Sequence, residues 1–343
     1  MDSCTTQACF SDPWCHCIIR DSVDQLHASH TEFLTSSDQE YWALEAIFSG
    51  DLESNAINQI GAWFTQIDGK WFIKNIFEAS PAAHSGLLPG DEVISVDGHD
   101  FRPVESFTLQ NNSSSKIIVR RRKNSRPLVF EVTIEKESIQ KTMLKASIAS
   151  YNVLEVCGKR IGYFHLWAGT HEKFEEALLA AAQRAAGETD AFILDLRDGF
   201  GGAYPDYLNP FFAADAQGRS IPQVYSKPVV TLINEGVRSG KEWIANIMKE
   251  THRATLIGSQ TRGYFLGGRL FPIKAGRFDL FLAVATGPSG VNLEGNGVRP
   301  DLEIKSELPY SAGVDPQLQF AQYVLGGRCN KALLSRPACR CKI

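Results

Sequence analysis

The sequence predicts an α/β fold preceded by a β-rich module and a helical N-terminal segment, and three observations carry that reading. Beyond residue 138, apolar runs alternate with amphipathic stretches: Ile161-Gly162-Tyr163-Phe164, a helical pattern over 174–186, Ala191-Phe192-Ile193-Leu194-Asp195-Leu196, an apolar run over 229–233 and a helical pattern over 242–249. That is the order of strand and helix in an α/β domain. From about Ile57 to Glu137 the runs are short and β-type, such as Trp71-Phe72-Ile73, Glu92-Val93-Ile94-Ser95-Val96 and Val129-Phe130-Glu131-Val132, separated by Asp68-Gly69, Pro89-Gly90-Asp91 and Asp97-Gly98 turns. Ahead of them, Ser37-x-x-Glu40 reads as a capping box and Tyr41, Leu44, Ile47 and Phe48 recur at helical spacing.

Length and charge narrow the functional classes. With 343 residues, 43% of them hydrophobic, the chain can bury a sizeable core, and its length suggests about two domains. A net charge of −4 does not favour a polyanion, so no nucleic acid is expected as a partner. The one basic run, Arg120-Arg121-Arg122-Lys123-Asn124-Ser125-Arg126, lies between two β-type runs and reads as a solvated hairpin tip. No apolar run reaches membrane-spanning length. The opening Met1-Asp2-Ser3-Cys4-Thr5-Thr6-Gln7 lacks the basic and apolar regions of a secretory signal. The chain as written therefore reads as cytoplasmic, or as extracytoplasmic if a leader was removed.

The cysteines are unevenly placed. Cys4, Cys9, Cys15 and Cys17 crowd one end, Cys329, Cys339 and Cys341 the other, and Cys157 stands alone between them. This spacing suggests that the two ends meet, through disulfides or around a metal, the plain alternative being reduced, inert cysteines in the tails. No CxxC pair with zinc-finger spacing is present, so the metal reading is the weaker one; no metal site is assigned and no cofactor is expected.

The candidate nucleophile follows the run Pro228-Val229-Val230-Thr231-Leu232-Ile233. A buried strand that ends in Asn234-Glu235-Gly236-Val237-Arg238-Ser239-Gly240-Lys241-Glu242 and runs into an amphipathic stretch puts Ser239 at a helix N-terminus. Unpaired N–H groups and a partial positive charge there can stabilise an oxyanion. A simple helix cap is the plain alternative.

Two resemblances rest on longer motifs. The stretch Ile60-Gly61-Ala62-Trp63-Phe64, followed by Phe77-Glu78-Ala79-Ser80-Pro81-Ala82-Ala83-His84-Ser85-Gly86-Leu87-Leu88-Pro89-Gly90-Asp91-Glu92-Val93-Ile94-Ser95-Val96-Asp97-Gly98, resembles a circularly permuted bacterial PDZ domain. The later part resembles the C-terminal processing (tail-specific) serine peptidases of family S41. Their Asp-Leu-Arg-x-x-x-Gly-Gly element appears as Asp195-Leu196-Arg197-Asp198-Gly199-Phe200-Gly201-Gly202, their serine loop as residues 234–242, and their closing element as Glu294-Gly295-Asn296-Gly297-Val298-Arg299-Pro300-Asp301. The resemblance covers roughly residues 20–325. It implies a ClpP/crotonase-like ββα core with an inserted PDZ domain, divided as an N-terminal helical segment 1–55, a PDZ domain 56–137, a peptidase core 138–328 and a Cys-rich tail 329–343.

The carry-over departs from the family at one important place. Ser239 matches the nucleophile, but the lysine base that well-known members carry 25 residues later is Tyr264 here, and the glutamine supporting that lysine is Gly268. Lys241 does not substitute, because two residues along a helix is about 200° around it, and it reads as a solvated lysine. A second branch, similar to tricorn-type and nisin-resistance-type peptidases, uses a histidine ahead of the PDZ domain. His30, in Leu26-His27-Ala28-Ser29-His30-Thr31, matches it, and Glu294 matches the carboxylate that orients the imidazole. Such a base is expected to titrate near about 6 to 7. His165, on the strand Tyr163-Phe164-His165-Leu166-Trp167, is the second candidate base, and His252 reads as a cation at a helix C-terminus.

The resemblance also implies an oxyanion hole from Gly240 together with Gly201 or Gly202, and a carboxylate-binding loop at Gly61, Ala62, Trp63 and Phe64 that holds a peptide C-terminus. The expected function is that of a serine endopeptidase acting on unstructured or C-terminally presented polypeptides, with homo-oligomerisation left open. The alternatives are an inactive S41-fold binding protein and a PDZ scaffold.

Overall fold

The computed structural model describes residues 13–108, 113–273, 278–287 and 290–327. The described residues begin with α1 (Pro13–Asp24), β1 (Glu32–Thr35) and α2 (Gln39–Ser49). A β-rich module follows: β2 (Ile57–Gln59), β3 (Ala62–Ile67), β4 (Lys70–Ile76), a short α3 (Pro81–Ser85), β5 (Glu92–Val96), β6 (His99–Asp100), α4 (Glu105–Thr108), β7 (Ser114–Arg120), β8 (Leu128–Thr133) and β9 (Glu135–Glu137). The remainder comprises α5 (Ile139–Ser150), β10 (Asn152–Val156), β11 (Lys159–His165), α6 (Glu172–Glu188), β12 (Ala191–Asp195), a 3-10 turn (Pro205–Phe211), β13 (Val229–Ile233), α7 (Gly240–Glu250), β14 (Ala254–Gly258), β15 (Gly267–Ile273), β16 (Phe278–Ala285), β17 (Leu302–Glu303) and α8 (Pro316–Gly326).

The central sheet runs β10-β11-β12-β13-β14-β17, with every neighbouring pair parallel except β10 with β11. β12 and β13 are buried at every position, as a parallel sheet covered on both faces requires. Period-two alternation divides their side chains between two cores. Phe192 and Leu194 join the larger one with α5, α6 and α7, while Ile193, Val230 and Leu232 pack on the other face with Ala321 and Leu325 of α8. The β-rich module has its own core, with Ile73, Val93, Val119 and Phe64 among its buried residues, and a sheet ordered β3-β4-β5-β7-β8.

Several local expectations need correction. The N-terminal segment is not purely helical, because β1 pairs antiparallel with β16, Phe33 facing Leu280, in a three-stranded β1-β16-β15 sheet. This long-range pairing is invisible to local periodicity. Nor does Ser37 cap α2: the N-cap is Asp38, whose carboxylate accepts from Thr35 N at 2.8 Å and Thr35 Oγ1 at 2.9 Å. Glu40 is instead committed to Arg238, at 2.6 Å. The basic run does form the β7–β8 tip, but Arg121 is not merely solvated, since it donates to both oxygens of the buried Asp91 at 2.9 and 2.8 Å. Of the cysteines, Cys4, Cys9, Cys329, Cys339 and Cys341 lie outside the described residues, as do the side chains of Cys15 and Cys17, so the expected meeting of the ends is not visible. Cys157 is disulfide-bonded.

Candidate active site

Ser239 sits at the sharp turn between β13 and α7 with φ 57° and ψ −134°. A non-glycine residue at positive φ is held there only by its surroundings. Two contacts do this: Ser239 N donates to Tyr264 O at 2.6 Å and to Glu242 Oε2 at 3.2 Å. Glu242 is fully buried, and its Oε1 accepts from Thr261 Oγ1 and Gly263 N, both at 2.6 Å. One carboxylate thus ties the turn before α7 to the 261–264 loop. Sequence reasoning passed over Glu242, although a glutamate three residues after a helix-capping serine carries that signal.

His30 precedes β1, is 6% exposed and also has positive φ, 50°. The β1–β16 pairing delivers it to the C-terminal hairpin, where Phe281 meets it edge-on at 5.3 Å between ring centroids. Tyr264 stands 6.0 Å from the same ring. The departures from the family motif become intelligible here. A Cβ on Gly268 would lie 2.3 Å from Phe281 Cζ and 3.0 Å from His30 Cβ. A side chain at 268 and this His30–Phe281 packing compete for one space.

Glu294 does not contact the imidazole directly, contrary to the expectation. Its Oε2 accepts from Ser29 Oγ at 2.9 Å, and Ser29 Oγ lies 3.3 Å from His30 Nδ1. A hydroxyl stands between carboxylate and ring. Ser29 N at 3.2 Å, Phe265 N at 2.7 Å and Leu266 N at 3.0 Å also donate to Glu294. Burial pushes this carboxyl up, but those donors outweigh it and hold it below the usual range. For His30, burial and the nearby Arg238 guanidinium lower the imidazole to about 4, against opposing pulls from Glu294 and Glu40. The ring is therefore neutral at physiological pH, with a proton-accepting nitrogen available.

His30, Ser239, Gly201 and Gly202 line one cavity of about 580 Å³. Its apolar wall includes Leu44 and Phe48 of α2 and Phe281 of β16. Gly201 passes against the serine: a Cβ added there would lie 2.4 Å from Ser239 Cβ and 2.9 Å from Oγ. Gly240 passes equally close to the 203 backbone, where a Cβ would meet Ala203 O at 2.0 Å. Only glycine permits both approaches.

The other candidates lie elsewhere. His165 is buried, with Nε2 2.9 Å from Arg197 O, Nδ1 3.6 Å from Glu78 and its ring stacked on Trp167 at 3.7 Å. It is not part of the cavity wall that holds Ser239. His252 follows the Thr251 C-cap of α7. Lys241 is not solvated: it is fully buried, and its ammonium donates to three backbone carbonyls. Ala62, Trp63 and Phe64 belong to strand β3 rather than to a loop, and Gly61 precedes it with φ 73°. Phe64 packs in the module core against Phe101 at 4.6 Å, whereas Trp63 meets Phe200 of the glycine loop at 5.9 Å. The β3 edge is engaged by Gln39, whose Nε2 donates to Ala62 O at 2.9 Å and whose Oε1 accepts from Phe64 N at 3.0 Å.

Comparison with known families is decided by residues 211–304, which match the model described as "Peptidase family S41" and include both Ser239 and Glu294. Over that stretch the chain is similar to peptidase family S41. Among curated relatives, the chain is 24% identical to the carboxy-terminal-processing protease of Bartonella bacilliformis, over 67% of its own length and 57% of the relative's. It is 25% identical to the carboxy-terminal processing protease CtpB of Bacillus subtilis, over 78% of its length and 59% of the relative's. The chain thus spans rather more than half of each. A solved photosystem II D1 C-terminal processing protease shares the fold, with TM-score 0.51 at 18% identity over 88% of this chain and 87% of that one.

Proposed function

We propose that the chain is a serine endopeptidase of the C-terminal processing kind, with Ser239 as nucleophile and His30 as its base. The single observation carrying this reading is that a strained serine at a strand-to-helix turn and a neutral, buried histidine line one cavity with two close-packed glycines. In the reaction, Ser239 Oγ attacks the peptide carbonyl carbon as its proton passes to His30. The carbonyl oxygen becomes an oxyanion held by the N–H of Gly240 and of Gly201 or Gly202. His30 returns the proton to the leaving amine, and water then releases the acyl group by the same steps. Ser29 and Glu294 orient the ring and oppose the charge it gains. The apolar wall from α2 and β16 favours an apolar side chain beside the scissile bond. The direct test is labelling by a fluorophosphonate probe, which requires an activated serine. Wild-type protein that is unlabelled and inactive on denatured casein would instead favour a binding protein.

The lowered imidazole gives this reading a pH signature that differs from the sequence expectation. Since only the neutral ring accepts the serine proton, a pKa of about 4 keeps the base competent well below pH 6. The acid limb of kcat/KM on a short chromogenic peptide should therefore fall nearer pH 4 than the ordinary histidine value of about 6.5. A limb at 6 to 7 would show that His30 is not the titrating base, or that it becomes solvated when substrate binds.

The module over residues 56–137 is proposed to act as a PDZ domain that takes a substrate C-terminus as an added strand along β3. Gln39 now occupies two of the backbone groups such a strand would use. Gln39→Ala should therefore tighten binding of a free peptide, and amidating that peptide's carboxyl group should weaken it. Equal affinity for acid and amide forms would leave the module as a spacer.

A further inference from the structure

Lys241 is the second residue of α7, two positions after the nucleophile, yet its side chain leaves the cavity and enters the interior. It is 0% exposed. Its Nζ donates to Leu166 O at 3.1 Å, to Trp167 O at 3.3 Å, and to Asp198 O. An ammonium has three protons, and each of these three acceptors can take one. None is a carboxylate oxygen: the cation is paired with peptide dipoles drawn from two separate segments.

Those two segments build the floor under the serine. Residues 166–169 and 198–202 are laced together by Phe200 N donating to Trp167 O at 2.9 Å and Gly169 N donating to Gly201 O at 2.7 Å. The contact is so close that a Cβ on Gly199 would lie 1.9 Å from Trp167 O. Gly201, in turn, touches Ser239. The lysine therefore joins the nucleophile's own helix to the loop whose glycines face that nucleophile. Hydrogen bonds to an ionised donor are stronger than neutral ones, and they strengthen further away from water.

We infer that Lys241 is a positioning residue, a buried ammonium clamp that sets the distance between the Gly201–Gly202 loop and the Ser239 turn and so holds the oxyanion donors in place. It rests on the peptidase reading for its effect on rate, but not for its effect on the loop. Burial lowers this ammonium to about 7, opposed by Asp198 and Asp195. The clamp needs the charged form, because a neutral amine has one donor fewer.

The test is Lys241→Met, which preserves much of the side chain's length and removes every donor. kcat should fall by about tenfold to a hundredfold with KM within about threefold, the pattern of an interaction used in the transition state. Amide exchange over 198–202, followed by mass spectrometry, should accelerate in the same variant while exchange in β12 stays unchanged. Unaltered kcat with unaltered exchange would overturn the clamp. Wild-type protein without peptidase activity would end the peptidase reading, and the exchange measurement would still decide on the clamp. Should the variant not fold, wild-type exchange over 198–202 serves: protection comparable to β12 is expected, and exchange as fast as in the exposed 215–219 turn would refute it.

Discussion

Replacing Ser239 with alanine is expected to abolish amide hydrolysis and fluorophosphonate labelling while leaving the fold in place. The loss in kcat/KM should reach about 10⁴- to 10⁶-fold, the scale seen when a nucleophile is removed from a catalytic unit. Folding should survive, because a lost helix cap costs about 1 kcal/mol, and the Ser239 backbone contacts to Tyr264 and Glu242 do not involve the hydroxyl. His30→Ala should lose nearly as much, and the double variant no more than the worse single one, since a serine without its base and a base without its serine are equally idle. Additive losses would show that the two residues do not act together. Substantial activity in His30→Ala would move the base elsewhere. His165 would be a poor successor, with one ring nitrogen against Arg197 O and the other facing Glu78.

The second large effect is expected from Gly201→Ala. The torsion at 201 is not in the left-handed region, so alanine is acceptable to the backbone and the chain should fold. Its methyl would nevertheless arrive 2.4 Å from Ser239 Cβ and 2.9 Å from Arg238 O, and backbone must move to admit it. That movement separates the oxyanion donors from the serine. A fall of about 10²- to 10³-fold in kcat is expected, comparable to removing one oxyanion donor. Gly187→Ala provides the control: it lies in α6 with nothing within 4 Å of the added carbon and should leave activity unchanged. Steady-state kinetics on one peptide with both variants decides the matter. Equal activity in the two would show that the 201 backbone does not serve the reaction.

Much of the fold can be read along the chain because its signals are local. β12 and β13 are near-continuous apolar runs, broken only by Asp195 at the end of the first and Thr231 within the second, as suits fully buried parallel strands, and α7 shows the helical period of a surface helix. The serine turn is legible for the same reason: a buried strand, a polar turn and an amphipathic helix follow one another within residues 229–250. The Gly201–Gly202 pair could be singled out as a close backbone approach, although what it approaches could not be known.

Long-range contacts are a different matter. That Ser29 stands between Glu294 and His30 depends on residues 265 positions apart meeting beside the 265–266 backbone, and no periodicity encodes such a meeting. Lys241 looks like a surface lysine because its helical angle from Ser239 is all the chain reveals; that this direction points into the interior, toward three carbonyls, is decided by how α7 packs against the 166–169 and 198–202 segments. The His30 pKa follows the same logic, since burial and Arg238 set it and neither exists in the unfolded chain. By itself, then, the sequence determined the α/β order, the serine turn and the glycines, because these rest on torsions and on the burial of successive residues. Only the tertiary structure decided how His30 is held, which lysine is buried and what occupies the β3 edge, because those depend on desolvation and on partners brought from distant parts of the chain.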